Sequence, residues 1–353
     1  MPMNRRDILR AGGATALLIS GGAALARDGY APGDYAPSDY AVVDPEMRDD
    51  LRRLVPMDAT AATLAAFRRR PGARPAHPAP PSPVSALPLA TVMVPGLPGQ
   101  PAVRTVQFDG APGRNARAAI VWMHGGGYVA GAASIPVPLR EAAKAHGWLV
   151  VSVDYRLAPE ARIGASLADN YAALRWVHDQ AATLGVDRDR IAVGGASAGG
   201  GHAAMLALAA RDRGAVPVRY QVLIYPMLDD RTGSSRPARP GTGVFVWTPT
   251  SNRFGWSSLL GVPAGSAAVP AKTVPGRRDD LSGLPAAFVG VGTLDLFLDE
   301  DVAYAAALRA AGVPVDLSVV PAAFHAFDGI APMARASRDF TARWIVGLTA
   351  ALG

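Results

Sequence analysis

The chain contains no cysteine, only 18% of its 353 residues are charged, and its N-terminal apolar stretch, Ala11 to Ala24, is too short to span a bilayer. Each shortage excludes something. Without thiols there are no disulfides, no cysteine nucleophile and no thiolate metal site, and the redox compartment cannot be read from them. No group of His, Asp and Glu has ligand spacing, so neither a metal nor another cofactor is expected. The net charge is +6 and the pI about 9.9. The arginines are nevertheless scattered, with no basic run interleaved with aromatics, so a nucleic-acid partner is not expected and the charge reads as solubility.

What is present describes a globular chain: half of the residues are hydrophobic, enough for a sizeable core. Arg5-Arg6, the weakly apolar run and the Ala24-Leu25-Ala26 site together read as an export signal over residues 1–26, of the twin-arginine kind. A periplasmic or secreted location follows, or a cytoplasmic one if the signal is not functional. Residues 27–89 read as a linker from Tyr30 to Tyr40, two helices (about Asp44 to Leu54 and Thr60 to Arg69) and a proline-rich cover.

From residue 90 to 353, apolar β-prone runs alternate with helical patterns. The strands are expected at Ala90–Val94, Ala102–Phe108, Ala118–Met123, Trp148–Asp154, Ile191–Gly194, Tyr220–Tyr225, Ala286–Val291 and Val315–Val320. The first two read as a hairpin, and several others are apolar throughout, as strands buried on both faces are. The pattern specifies an α/β fold with a mostly parallel central sheet flanked by helices. An insertion at about 227–283, rich in Pro, Gly and Ser, reads as a lid or pocket wall whose aromatics (Phe245, Trp247, Phe254, Trp256) would line an apolar site.

The chemistry centres on Gly195-Ala196-Ser197-Ala198-Gly199. A strand ending in a sharp turn into a helix matches the G-x-S-x-G elbow, which lifts a serine hydroxyl clear of the sheet. A serine needs a base and an orienting acid. Of the six histidines, only His325 follows a strand on the loop edge where open α/β sheets carry their sites. His202 lies five residues along the helix after the serine and points away. Asp295 ends the preceding strand and is preferred to Asp299, which with Glu300 reads as a helix start. The order Ser197, Asp295, His325 is that of the α/β-hydrolase arrangement. Backbone N–H groups of Gly126 and Gly127, in His124-Gly125-Gly126-Gly127, would join that of Ala198 as an oxyanion hole. This loop lacks the G-x-G-x-x-G spacing and the Lys-Ser/Thr pair of a nucleotide site. His124 reads as a support for the loop.

The loop His124 to Gly127, the stretch Asp154-Tyr155-Arg156-Leu157-Ala158-Pro159-Glu160, the elbow, Asp295 with Asp299-Glu300, and His325-Ala326-Phe327 together resemble the hormone-sensitive-lipase family of α/β-hydrolases. The resemblance covers roughly residues 90 to 345. It implies an α/β-hydrolase fold with a helical cap, built from the N-terminal helices and the segment after strand Tyr220–Tyr225. It also implies the triad and oxyanion donors named above, and short to medium acyl esters as small-molecule substrates. The stretch Tyr155 to Glu160 is expected to shape the loop below the site, with Arg156 and Glu160 placed to pair. Ala196 and the segment Ile163 to Ser166 depart from the family pattern, away from the reacting atoms. A non-catalytic binding protein on the same scaffold, an amidase and a carbohydrate acetyl esterase stay open, as does a monomer or homodimer.

Overall fold

The computed structural model describes residues 35–70 and 75–353; the expected export signal and the linker up to residue 34 lie outside them. In chain order the elements are α1 (Pro37–Tyr40), α2 (Arg48–Arg52), α3 (Leu64–Arg69), β1 (Ala90–Val94), β2 (Val103–Asp109), β3 (Arg117–Met123), α4 (Val137–His146), β4 (Leu149–Val153), α5 (Ile163–Asp179), α6 (Ala181–Leu184), β5 (Val186–Ala196), α7 (Ala198–Arg213), β6 (Tyr220–Ile224), α8 (Pro249–Leu260), β7 (Ala286–Gly292), α9 (Leu298–Ala310), β8 (Val315–Val320), α10 (Phe327–Ile330) and α11 (Arg335–Leu352).

The eight strands form one sheet in the order β1-β2-β4-β3-β5-β6-β7-β8. The β1–β2 hairpin and the β2–β4 pair are antiparallel, and every later pair is parallel. All seven residues of β3 are buried. Its side chains divide by alternation: Ala118, Ile120 and Trp122 enter the core beneath α4 and α11, whereas Ala119, Val121 and Met123 enter the core beneath α5, α7 and α9. Trp122 stacks on Trp344 of α11 with ring centroids 6.0 Å apart. Burying a side chain of this size contributes about 3 kcal/mol, so β3 is held from both sides.

The cover is shorter in its elements than the sequence pattern suggested. The first helical stretch is a 3-10 turn, Pro45–Met47, followed by the five residues of α2, and α3 starts only at Leu64. The prolines on either side restrict both. The insertion is not wholly irregular. Thr248 accepts a hydrogen bond from the Ser251 N–H and Pro249 occupies the first turn, a start signal for the 12-residue α8. Tyr35, Tyr40, Val43, Met47 and Leu51 join the core under α4 and α11, so the cover is packed onto the sheet domain.

Candidate active site

Parallel strands deliver their following residues to one edge of the sheet, and four of them converge here. Beta5 ends at Ala196, one residue before Ser197; β3 ends at Met123, before His124; β7 and β8 end shortly before Asp295 and His325. Ser197 has φ 58 and ψ −123, a conformation that L residues rarely adopt and that strained functional turns retain. Its N–H donates to the Ile224 carbonyl at 2.8 Å and its carbonyl accepts from Met227 at 3.1 Å, which fixes the turn to β6. The turn is possible only because α7 passes directly beneath β3: a Cβ on Gly199 would lie 2.1 Å from the Met123 carbonyl oxygen.

The three side chains singled out in the sequence meet. His325 Nε2 lies 2.9 Å from Ser197 Oγ, and His325 Nδ1 lies 2.8 Å from Asp295 Oδ2. The other Asp295 oxygen accepts the Phe297 N–H at 3.0 Å. A carboxylate can only accept, so Nδ1 carries the imidazole proton and Nε2 is left to accept from the serine hydroxyl. All three residues are buried. The imidazole is boxed by Tyr225, Phe297 and Trp247 at centroid distances of 4.9, 5.3 and 6.5 Å.

The loop after β3 lies against this turn. Among the described residues the Gly126 and Gly127 N–H groups have no protein acceptor, and Ala198, the first residue of α7, has no intrahelical partner for its own. Gly127 has φ 61, and a Cβ there would come within 2.0 Å of the Trp247 ring, so the indole rests directly on the loop. Trp247 is itself held, its Nε1 donating to Asn252 at 3.1 Å. His124 supports the loop from below: Nδ1 donates to the Gly125 carbonyl at 2.8 Å, and the ring stacks on Tyr155 at 4.2 Å. The Tyr155 hydroxyl donates to the His124 carbonyl at 2.7 Å. Burial lowers the pKa of His124 and so favours its neutral form.

His202 indeed points away from the serine. It is fully buried, packed edge-on against Tyr128 and Tyr155 at 4.9 and 4.5 Å. Burial first, and nearby His124 second, push its pKa down to about 3, so it sits in the core as a neutral ring.

The expected pair between Arg156 and Glu160 does not form. Arg156 turns to Asp169 of α5, which it holds through Nη2 at 2.7 Å and Nε at 2.9 Å, while its backbone N–H donates to the same carboxylate at 2.9 Å. Asp169 is buried and outcompetes an exposed partner. Glu160 is taken by Arg68 of α3, bidentate at 2.7 Å on both oxygens. Arg68 also donates to the carbonyls of Val129 and Ala158 at 2.7 and 2.9 Å, so it staples the cover to the glycine loop. Arg68 was missed in the sequence, where it stands among like arginines with nothing local to distinguish it. Glu300 accepts the N–H groups of Leu228 and Asp229 at 2.7 and 3.2 Å and so ties the exit of β6 to α9.

A cavity of about 750 Å³ opens above Ser197 and His325, with walls from the cover, the glycine loop and the insertion. Of the four aromatics expected there, only Trp247 lines it; Phe245 packs on Tyr35 at 4.8 Å and Trp256 on Tyr128 at 5.0 Å. Four of the eight non-glycine residues with positive φ among those described, Ser197, Tyr225, Val246 and Ala326, line this one cavity. Backbone strain thus concentrates around the candidate site.

Comparison with known proteins agrees with this geometry. A family model described as the alpha/beta hydrolase fold matches residues 120–329. Carboxylesterase NlhH of Mycobacterium tuberculosis is 39% identical over 243 residues, covering 66% of this chain and 73% of its own. Ethyl acetate hydrolase of Pseudomonas putida is 37% identical over 220 residues, 60% of this chain and 66% of that one. Among solved structures, a bacterial heroin esterase superimposes with a TM-score of 0.78 at 33% identity, over 89% of this chain and 99% of that one. With the sheet order, the serine elbow and the glycine loop all in place, the chain belongs to the hormone-sensitive-lipase family of α/β-hydrolases.

Proposed function

We propose that the protein is a serine esterase that hydrolyses short- to medium-chain carboxylic esters through an acyl-enzyme. Ser197 attacks the ester carbonyl while His325 Nε2 takes the hydroxyl proton; Asp295 keeps the imidazole in the required tautomer and stabilises the imidazolium. The backbone N–H groups of Gly126, Gly127 and Ala198 receive the oxyanion. His325 then returns the proton to the leaving alcohol, and water repeats the sequence on the acyl group. The observation that carries this reading is the unbroken line from Asp295 through His325 to Ser197 at 2.8 and 2.9 Å. The volume of the cavity supports it, being of the size that encloses a small molecule, and so do the esterase names of the relatives.

Ser197→Ala is expected to lower turnover of a p-nitrophenyl short-chain ester by at least ~10⁴-fold and to abolish labelling by a fluorophosphonate. A loss of less than tenfold would remove Ser197 from this role. A panel of acyl lengths and leaving groups separates esters from amides and carbohydrate acetyl groups. We also propose export, on Arg5-Arg6 and the Ala24-Leu25-Ala26 site; recovery from the periplasm or medium with Arg27 at the N-terminus is the expected result.

A further inference from the structure

The wall of the cavity contributed by the cover carries two arginines, Arg53 and Arg70, and no Asp, Glu or Lys is among the residues lining the whole cavity. The rest of the lining is mainly apolar or glycine, apart from the reacting groups and two tyrosines. Three other arginines of the cover and the neighbouring loop have carboxylate partners: Arg52 has Asp49 at 2.6 Å, Arg68 has Glu160 at 2.7 Å and Arg156 has Asp169 at 2.7 Å. Among the described residues Arg53 has no ion pair, and the Arg70 guanidinium has none either but donates to the Val55 carbonyl. That bond fastens the residue after α3 to the segment that follows α2, two residues after Arg53. The two like charges therefore line one cavity with no carboxylate partner among the described residues.

Two cations facing one apolar chamber repel each other and attract an anion, and low-dielectric walls focus that field. A guanidinium offers a planar fork matched to a carboxylate. We infer that Arg53 and Arg70 select esters whose end remote from the scissile bond carries a carboxylate. This rests on the esterase reading and names the substrate class of the same site. The acid is delivered either on the acyl side, as the half-ester of a dicarboxylic acid, or on the alcohol side, as an acylated hydroxy acid. In both cases water adds OH to the acyl carbon and H to the alcohol oxygen, and the remote carboxylate is unchanged.

The test compares kcat/KM within two matched pairs: monoethyl adipate with ethyl hexanoate for the acyl side, and 6-acetoxyhexanoate with hexyl acetate for the alcohol side. At low salt the anionic member of at least one pair is expected to be preferred about tenfold, and the preference should fall several-fold between about 20 mM and about 0.5 M NaCl as the charges are screened. Arg53→Gln and Arg70→Gln should each lower the ratio about threefold, and Arg53→Glu, at an exposed position, should bring it to parity or below. Arg335→Gln, outside the cavity, serves as the charge control and should leave the ratio unmoved. Preference for the neutral member of both pairs, or an unchanged ratio in both Arg53 variants, would overturn the inference and leave the esterase reading standing. Hydrolysis of no member of either pair would overturn that reading and the inference with it.

Discussion

The sheet edge and the cover meet at one cavity but are built in different ways. At the sheet edge, Ser197, Asp295 and His325 follow strands of one continuous sheet and their polar atoms lie within 3 Å of one another, while His124, after β3, is tied to the Gly125 carbonyl. The cover uses elements of four to six residues; its first part is anchored by Tyr35, Tyr40, Met47 and Leu51 in the core, whereas α3 has no buried residue and is fastened partly by the side-chain bonds of Arg68. The contrast teaches that the atoms proposed to react sit on the strand ends of the sheet, while the proposed recognition wall sits on short elements that can change without disturbing them.

Three changes probe that division. The sharpest is at the boundary itself, where the indole of Trp247 rests on Gly127. Gly127→Ala places a methyl group 2.0 Å from the ring atoms at a left-handed φ, and should displace one oxyanion donor. Such a loss costs about 2.7–4 kcal/mol of transition-state stabilisation, so kcat should fall by about 10² to 10³ with a smaller change in KM. A change confined to KM would erase the proposed boundary and make the loop part of the recognition half.

Acid should act on the sheet half. His202 binds its proton at about 3 in the folded protein but near 6.5 when unfolded. The unfolded state therefore takes up more protons between these values. Stability is fully present above about pH 6.5 and is lost as pH falls toward 3, by up to about 1.4 kcal/mol per pH unit from this one group. Urea unfolding of His202→Gln should show a shallower loss than the parent between about pH 6 and 4; parallel curves would shift the acid sensitivity to other groups.

The smallest effect belongs to the staple. The Arg68–Glu160 pair is exposed, so it contributes at most about 1 kcal/mol. Glu160→Gln should cost less than that in stability, while Arg68→Met, which also frees two loop carbonyls, should cost more and raise KM a few-fold. Equal losses from the two variants would mean that the carbonyl contacts are idle. Arg68 lowers the pKa of Glu160 to about 2, so the pair's small contribution is present above the ordinary Glu range and disappears as pH falls through about 2.

The sheet half was legible in the sequence and the cover largely was not, for physical reasons. Val315–Val320 and Ala90–Val94 form the strands expected, because short stretches rich in β-branched residues and bounded by Pro or Gly favour extended backbone. Ser197, Asp295 and His325 were legible as candidates because each follows a strand on the same sheet edge and they occur in the α/β-hydrolase order. Alpha7 shows the limit: three glycines at its start argue against helix, yet it begins at Ala198, since only backbone without side chains fits beneath β3 and against Tyr128 and Pro226. Glu160 finds a partner 92 residues away and Arg156 one thirteen residues on, so neither choice is visible from local spacing. The short cover helices owe their place to contacts with the sheet domain rather than to their own periodicity.

The chamber above the serine takes its walls from residues as far apart as Tyr35 and Ile330. As the chain leaves the ribosome the wall at Tyr35 to Arg70 emerges first, the glycine loop and Ser197 next, and His325, Ala326 and Ile330 last, so a shortened copy ending before β8 lacks the far wall. The chamber is closed only once the turn after the last strand has been made.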